Sequence, residues 1–216
     1  PVLTSVPTGA TYTWNNSNTS IGLAASGSGN VPSFVASNPL PTGISGTISL
    51  TPTLNGCVGN VSTYTITVDA KPVAILPADQ TVCDGQSISA SAFSSNPPGA
   101  NYSWTNSNTS IGIAGSGSGN LPTFTAINSG TTQQISTITV VPAFGGCSGT
   151  ASSYSITVNP KPTPNLPANI SVCEGASVAQ GTLSSNPSGA TFSWSNNNTS
   201  IGLAASGNGN VPAFIS

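Results

Sequence analysis

A period of 90 residues, free of insertions and deletions, runs through the 216-residue chain and limits its fold more than any other feature. Trp14, Trp104 and Trp194 are the three tryptophans, and they stand 90 residues apart. Cys57 and Cys147 keep the same spacing, as do Cys83 and Cys173, and Lys71 and Lys161. The block after each Trp is nearly constant: WNNSNTSIGLAASGSGNVPSF, WTNSNTSIGIAGSGSGNLPTF and WSNNNTSIGLAASGNGNVPAF. Copies this alike point to recent duplication, the habit of arrays rather than of domains with separate tasks. Pro1 aligns with Ser91 and Ser216 with Ala126. The period therefore predicts a partial repeat at 1–70, a complete one at 71–160 and a second partial one at 161–216. Both ends fall inside a repeat, so the chain reads as a window on something longer.

Each repeat reads as strands. In the middle copy Tyr154, Ile156 and Val158 alternate with Ser155 and Thr157, a period of two that buries one face. Ile138 and Val140 share a face, Tyr102 and Trp104 another, and Ile88, Ala90 and Ala92 a third. Turn residues separate the runs: Asp84-Gly85, the stretch Asn96-Pro97-Pro98-Gly99, and Gly145-Gly146 with Gly149 beside Cys147. The glycine- and serine-rich stretch from Gly112 to Gly119 reads as a loop or an irregular crossing between sheets. No segment carries a helical apolar stripe. About seven short strands with turn signals every 8–12 residues predict an all-β sandwich with the tryptophans in its core. Lys71-Pro72 and Lys161-Pro162 mark stiff linkers, so the sandwiches are expected to form a rod.

Charge narrows the function. Asp69, Lys71, Asp79, Asp84, Lys161 and Glu174 are the only charged side chains, 3% of the chain, and there is no His or Met. Two lysines 90 residues apart cannot neutralise a run of phosphates, which excludes nucleic acid. They cannot form a polybasic membrane surface either, and no apolar run is long enough to span a bilayer. Without His, and with four scattered acids, no triad or carboxylate pair forms within a repeat, so no catalytic residue, cofactor or enzyme activity is expected. Asp79 and Asp84 are the nearest acidic pair. Their expected work is in turns, and Asn169 and Glu174 replace them in the third copy, which weakens a shared calcium site. The GSGSGN run has the glycines of a phosphate loop but not its lysine. The Asn-Thr-Ser blocks hold the sequons at Asn18, Asn108 and Asn198. They read first as polar turns bonding their own backbone, and second as amide and hydroxyl groups able to hold a sugar.

The motif QTVCDG, the block YSWTNSNTSIGIAGSGSGN and the ending ITVVPAFGGCSGTASSYSITVNPKP together resemble the PKD-like and Ig-like repeats of very large surface proteins of gliding and adhesive Bacteroidota. The resemblance covers the whole chain. It implies tandem Ig-like or PKD-like sandwiches in a long extracellular or cell-surface adhesin, self-associating or packing laterally with like chains. A glycan- or surface-binding array, with or without an enzyme elsewhere in the chain, is the other reading. The chain departs from the PKD pattern after the Trp, where Thr105-Asn106-Ser107-Asn108 stands in place of the aspartate-bearing W-x-F-G-D, so that family's acidic chemistry does not carry over.

In an exported protein the four cysteines are expected to form disulfides. One pairing is Cys83 with Cys147 inside the complete repeat, leaving Cys57 and Cys173 to partners outside the window. The other joins neighbouring repeats, Cys57 with Cys83 and Cys147 with Cys173. The lack of CxxC spacing and of His argues against a metal site.

Overall fold

The computed structural model describes residues 3–216 and is all-β, with a two-layer sandwich in the middle repeat. The middle repeat carries both layers. Its larger sheet runs in the order Ser116–Ser118, Asn101–Asn106, Gln134–Phe144, Ser152–Asn159 and Gln80–Cys83, with Cys147–Ser148 also against Gln134–Phe144. Neighbours are antiparallel except Gln80–Cys83, which lies parallel to Ser152–Asn159. The facing layer is built of two short ladders, Val73–Ile75 with Ser94–Asn96 and Ser87–Ile88 with Phe124–Thr125.

The core lies between these layers. Trp104, Ile138, Val140, Tyr154, Ile156 and Val158 come from the larger sheet. Ala74, Ile88 and Phe93 close on them from the other layer, and Phe93 meets the Tyr102 and Tyr154 rings edge-on. Alternation places these residues. Each is buried while its chain neighbours along the strand are more exposed, because successive side chains of a strand point to opposite faces.

Two expectations need correction. Ile88 is buried, but Ala90 and Ala92 are exposed, and Ser91 and Phe93 take the inward positions. The ladder is interrupted there: the Ala90 N–H donates to Thr123 Oγ1, and pairing resumes only at the Ser91–Leu121 bridge. An irregular stretch of three steps lets Ile88 and Ser91 both face inward, which strict alternation forbids. The glycine-serine stretch also holds a strand, Ser116–Ser118, paired with Asn101–Asn106. It is possible because Gly117, opposite Trp104, has no side chain, and the indole lies over its backbone. Gly27 under Trp14 and Gly207 under Trp194 repeat the arrangement.

The partial repeats follow the same plan. The first has Thr11–Asn16 and Ser62–Val68 on either side of Ile44–Leu54, with Trp14 opposite Leu50 as Trp104 is opposite Val140. The third has the ladders Thr163–Asn165 with Ser184–Asn186 and Ser177–Val178 with Phe214–Ile215. No helix among the described residues is long and apolar enough to cross a membrane.

Candidate functional site at the repeat junctions

The chain comes into the middle repeat at one end of the sandwich and leaves at the other. Val73 bridges Thr150 in parallel at the incoming end, close to the hairpin of Gly145, Gly146 and Cys147. Asn159 closes the last strand at the outgoing end, opposite Cys83. Four of the six charged residues, Asp69, Lys71, Asp84 and Lys161, lie in the linkers or in the turn beside one.

The outgoing end is closed by hydrogen bonds from one turn. The Asp84 N–H donates to Asn159 O at 2.8 Å and the Gly85 N–H to Ala126 O at 2.8 Å. Asp84 Oδ1 accepts from the Asn128 N–H at 2.8 Å. Asn128 is itself buried and donates its amide to Val158 O at 2.7 Å and Thr132 O at 2.8 Å. Gly85 has φ 78°, the left-handed region a glycine adopts without strain. The Lys161 ammonium from the linker lies over this turn: a Cβ on Gly85 would sit 2.7 Å from Lys161 Nζ.

The incoming end receives the preceding repeat. A Cβ on Gly145 would lie 3.4 Å from Asp69 Oδ2, so the residue just after the first repeat's last strand rests on the hairpin of the second. Gly149 lies against the Pro72 carbonyl, too close for any side chain. At the next junction Gln133 and Asn159 of the middle repeat share a shallow hollow with Pro162, Pro187 and Gly189 of the third. The turn holding Gly189 corresponds to the one holding Gly99, which lies beside the Phe144 ring at the incoming end. Each junction thus sets the outgoing end of one repeat against the incoming end of the next.

The structure brings neither expected cysteine pair together. All four thiols are unbonded. Cys83 faces Asn159 at the outgoing end, whereas Cys147 faces Phe144 at the far tip of Gln134–Phe144. Strand Gln134–Phe144 pairs Gln134 with Val158 and runs the full height between them, so at about 3.3 Å per residue the two cysteines are roughly 35 Å apart. A disulfide tolerates a Cα separation of up to about 7 Å. The pairing between neighbours fares no better. Cys57 lies on the incoming hairpin of the first repeat and Cys83 at the outgoing end of the second, and Cys147 and Cys173 stand in the same relation.

The remaining candidates have structural work. Trp14 and Trp104 are buried, Trp194 is half-buried, and their Nε1 atoms have no hydrogen-bond partner. Asp79 Oδ1 accepts from the Ser155 N–H at 2.7 Å, fixing the start of the parallel strand, and it is not joined to Asp84 in any cluster of metal-binding side chains among the described residues. Asn18, Asn108 and Asn198 cap the short 3-10 turns that follow them, each accepting from a backbone N–H two residues on at 3.0 Å. The Asn18 amide also donates to Ser45 O, and the Asn108 amide to Gln134 Oε1.

Sequence reasoning missed Asn106. Its buried amide donates to Asn108 O at 3.1 Å and to Ile113 O and Ala114 O at 3.2 Å, and its oxygen accepts from the Asn108 N–H and the Ser136 hydroxyl. The signal was present: Asn16, Asn106 and Asn196 stand two residues after each Trp, on the face that alternation buries. A polar residue there must satisfy itself inside the core.

This geometry is what the comparisons meet. Residues 80–162 match the family model of the PKD-like domain. The matched stretch begins at the parallel strand and ends in the linker, so it takes in both ends of the middle repeat except its first strand, Val73–Ile75. No curated protein matches the chain. Similar solved structures include the extracellular cadherin domains 1–4 of protocadherin gamma B7, at 12% identity over 94% of this chain and 58% of that one, with a TM-score of 0.34. Mouse cadherin-23 EC22–24 is similar at 8% identity over 95% of this chain and 76% of that one, TM-score 0.35. Sidekick-1 immunoglobulin domains 1–5 are similar at 16% identity over 72% and 34%, TM-score 0.27. The chain thus spans less than two thirds of the protocadherin fragment.

Proposed function

We propose that the chain is a segment of a long extracellular or cell-surface protein whose PKD-like repeats serve as a structural and adhesive spacer, of the kind carried by large Bacteroidota adhesins, and that it has no enzymatic role. The observation that carries this reading is the position of the two chain ends of the middle repeat. Incoming and outgoing linkers lie at opposite ends of the sandwich, so like repeats add end to end. The repeat boundaries near 70 and 160 fall in the Pro-containing linkers, which favours a stiff rod. With so few charges, neighbouring rods have little electrostatic repulsion, and lateral association between like chains follows.

The glycan-binding alternative draws on the Asn-Thr-Ser blocks. The amides of Asn106 and Asn108 are committed to the protein's own atoms, and the Trp14 and Trp104 rings that would stack on a sugar lie in the core. Structural use of these groups is the better supported reading.

Electron microscopy of the native full-length protein tests it. An eleven-residue strand at about 3.3 Å per residue predicts an axial period of roughly 35–40 Å along a thin fibre. Compact particles without that period would overturn the spacer reading in favour of a binding module.

A further inference from the structure

The cysteines of this array occupy two positions, one at each end of the sandwich, and the junction brings those two ends together. Cys83 follows the parallel strand and faces Asn159. Cys147 sits on the incoming hairpin, two residues after Gly145. Asp69 is the first repeat's counterpart of Asn159, and its carboxylate rests on Gly145. The residue that stands beside the outgoing cysteine in one repeat is therefore the residue that touches the cysteine hairpin of the next. Burial agrees: Cys147, with a preceding repeat against it, is partly covered, whereas its counterpart Cys57 is exposed. The other junction repeats the pattern, because the turn holding Gly189, whose counterpart flanks the cysteine hairpin, lies against Asn159.

We propose that successive repeats are cross-linked head to tail, the outgoing cysteine of each repeat (the Cys83 position) forming a disulfide with the hairpin cysteine (the Cys147 position) of the repeat that follows. This rests on the reading of the chain as part of a longer array. It gives all four cysteines here a partner in a complete array. Cys83 and Cys173 bond forward, and Cys57 and Cys147 bond backward, with every partner beyond the 216 residues. The result is one covalent staple per junction, parallel to the Pro linker, which turns each joint from a single tether into a closed ring. The chemistry is thiol–disulfide exchange. A cysteine thiolate attacks a low-molecular-weight disulfide such as oxidised glutathione and expels one thiolate. The second cysteine thiolate then attacks the mixed disulfide, forming the protein S–S bond and expelling the other. The two protons given up by the cysteine thiols are taken up by the two expelled thiolates, and the two thiols so released carry the electron pair.

The test uses this chain extended by a copy of residues 127–160, which completes the third repeat and supplies its hairpin cysteine. Cys147→Ser removes the one cysteine whose peptide would duplicate the new one. After equilibration with oxidised and reduced glutathione, free thiols are alkylated and peptides are mapped without reduction, with tryptophan fluorescence confirming the fold of the same sample. The expected result is a cross-link between the TVCDG peptide and the appended GGCSG peptide, loss of alkylation at Cys83 and at the appended cysteine, and continued alkylation at Cys57 and Cys173. A fully alkylated Cys83 in the folded protein, or a bond from Cys83 to Cys57 or Cys173, overturns the proposal. Because the partner is supplied by the extension, this outcome does not depend on the natural length of the array, which microscopy of the native protein judges separately.

Discussion

The Trp104 indole lies over the backbone of Gly117, its partner across the sheet, so closely that a methyl group on Gly117 would run into the Cε2 and Cζ2 atoms of the ring. The ring is buried on its other face by the core, so it has nowhere to go. Gly117→Ala is expected to destabilise the middle repeat by about 1–3 kcal/mol, the usual range for overpacking. Gly115, two residues earlier, has only an ordinary contact with Thr109, and Ala25 and Ala205 occupy its place in the other copies. Gly115→Ala should stay within about 0.5 kcal/mol of the parent. Urea denaturation followed by Trp fluorescence separates the two, and equal effects would refute the packing argument.

Asn106 ties the strand after Trp104 to the loop that crosses above it. Asn106→Ala strands the carbonyls of Ile113 and Ala114 and the Ser136 hydroxyl inside the protein. A loss of about 2–4 kcal/mol is expected, more than a single hydrogen bond, because several buried groups lose their partner together. Asn108→Ala removes a cap at the surface and should cost about 1 kcal/mol. Thermal or urea unfolding that ranks the two in the opposite order would count against Asn106 as the centre of this network.

Tyr154 gives the repeat a response to alkali. Burial holds its phenol above the ordinary value, and the nearby Ser91 hydroxyl offsets part of that without reaching hydrogen-bond geometry. The folded state therefore keeps its proton when the unfolded state, with a pKa of about 10, has lost it. The unfolded chain then binds fewer protons, so this contribution is full below about pH 10 and is lost as pH rises towards the folded value. Tyr154→Phe should flatten the fall in stability above pH 10. Since the hydroxyl is buried without a partner, the variant should be no less stable than the parent at neutral pH. An unchanged alkaline slope would show that another group sets it.

Asp84 supports the outgoing end through one acceptor bond to the Asn128 N–H. Asp84→Ala should cost about 1–2 kcal/mol, and Asp84→Asn, which keeps an acceptor, should cost less. Calcium or a chelator should leave the melting temperature of the parent unchanged, as the carboxylate's partner is a backbone donor. A calcium-dependent rise in Tm that Asp84→Asn abolishes would reverse this assignment.

Sequence by itself determined the repeat, the sandwich and most of the core. These follow from short-range rules: alternation buries Ile138, Val140, Ile156 and Val158, and Gly85, Gly99 and Gly146 sit at left-handed turns where glycine is favoured. The same rules failed at Ala90 and Ala92, where a side-chain bond from Thr123 interrupts the ladder, and at Ser116–Ser118, where a glycine makes room for a ring 13 residues away. Only the tertiary structure decided the ends. The period places Cys83 and Cys147 in one repeat, but it does not say which end of a strand each occupies. That depends on the parallel register of Gln80–Cys83 with Ile156–Asn159, and on the hairpin that carries Cys147 past the top of the sheet. Sheet pairing joins residues far apart in the chain, and it is this pairing that sends the two thiols to opposite ends of the sandwich.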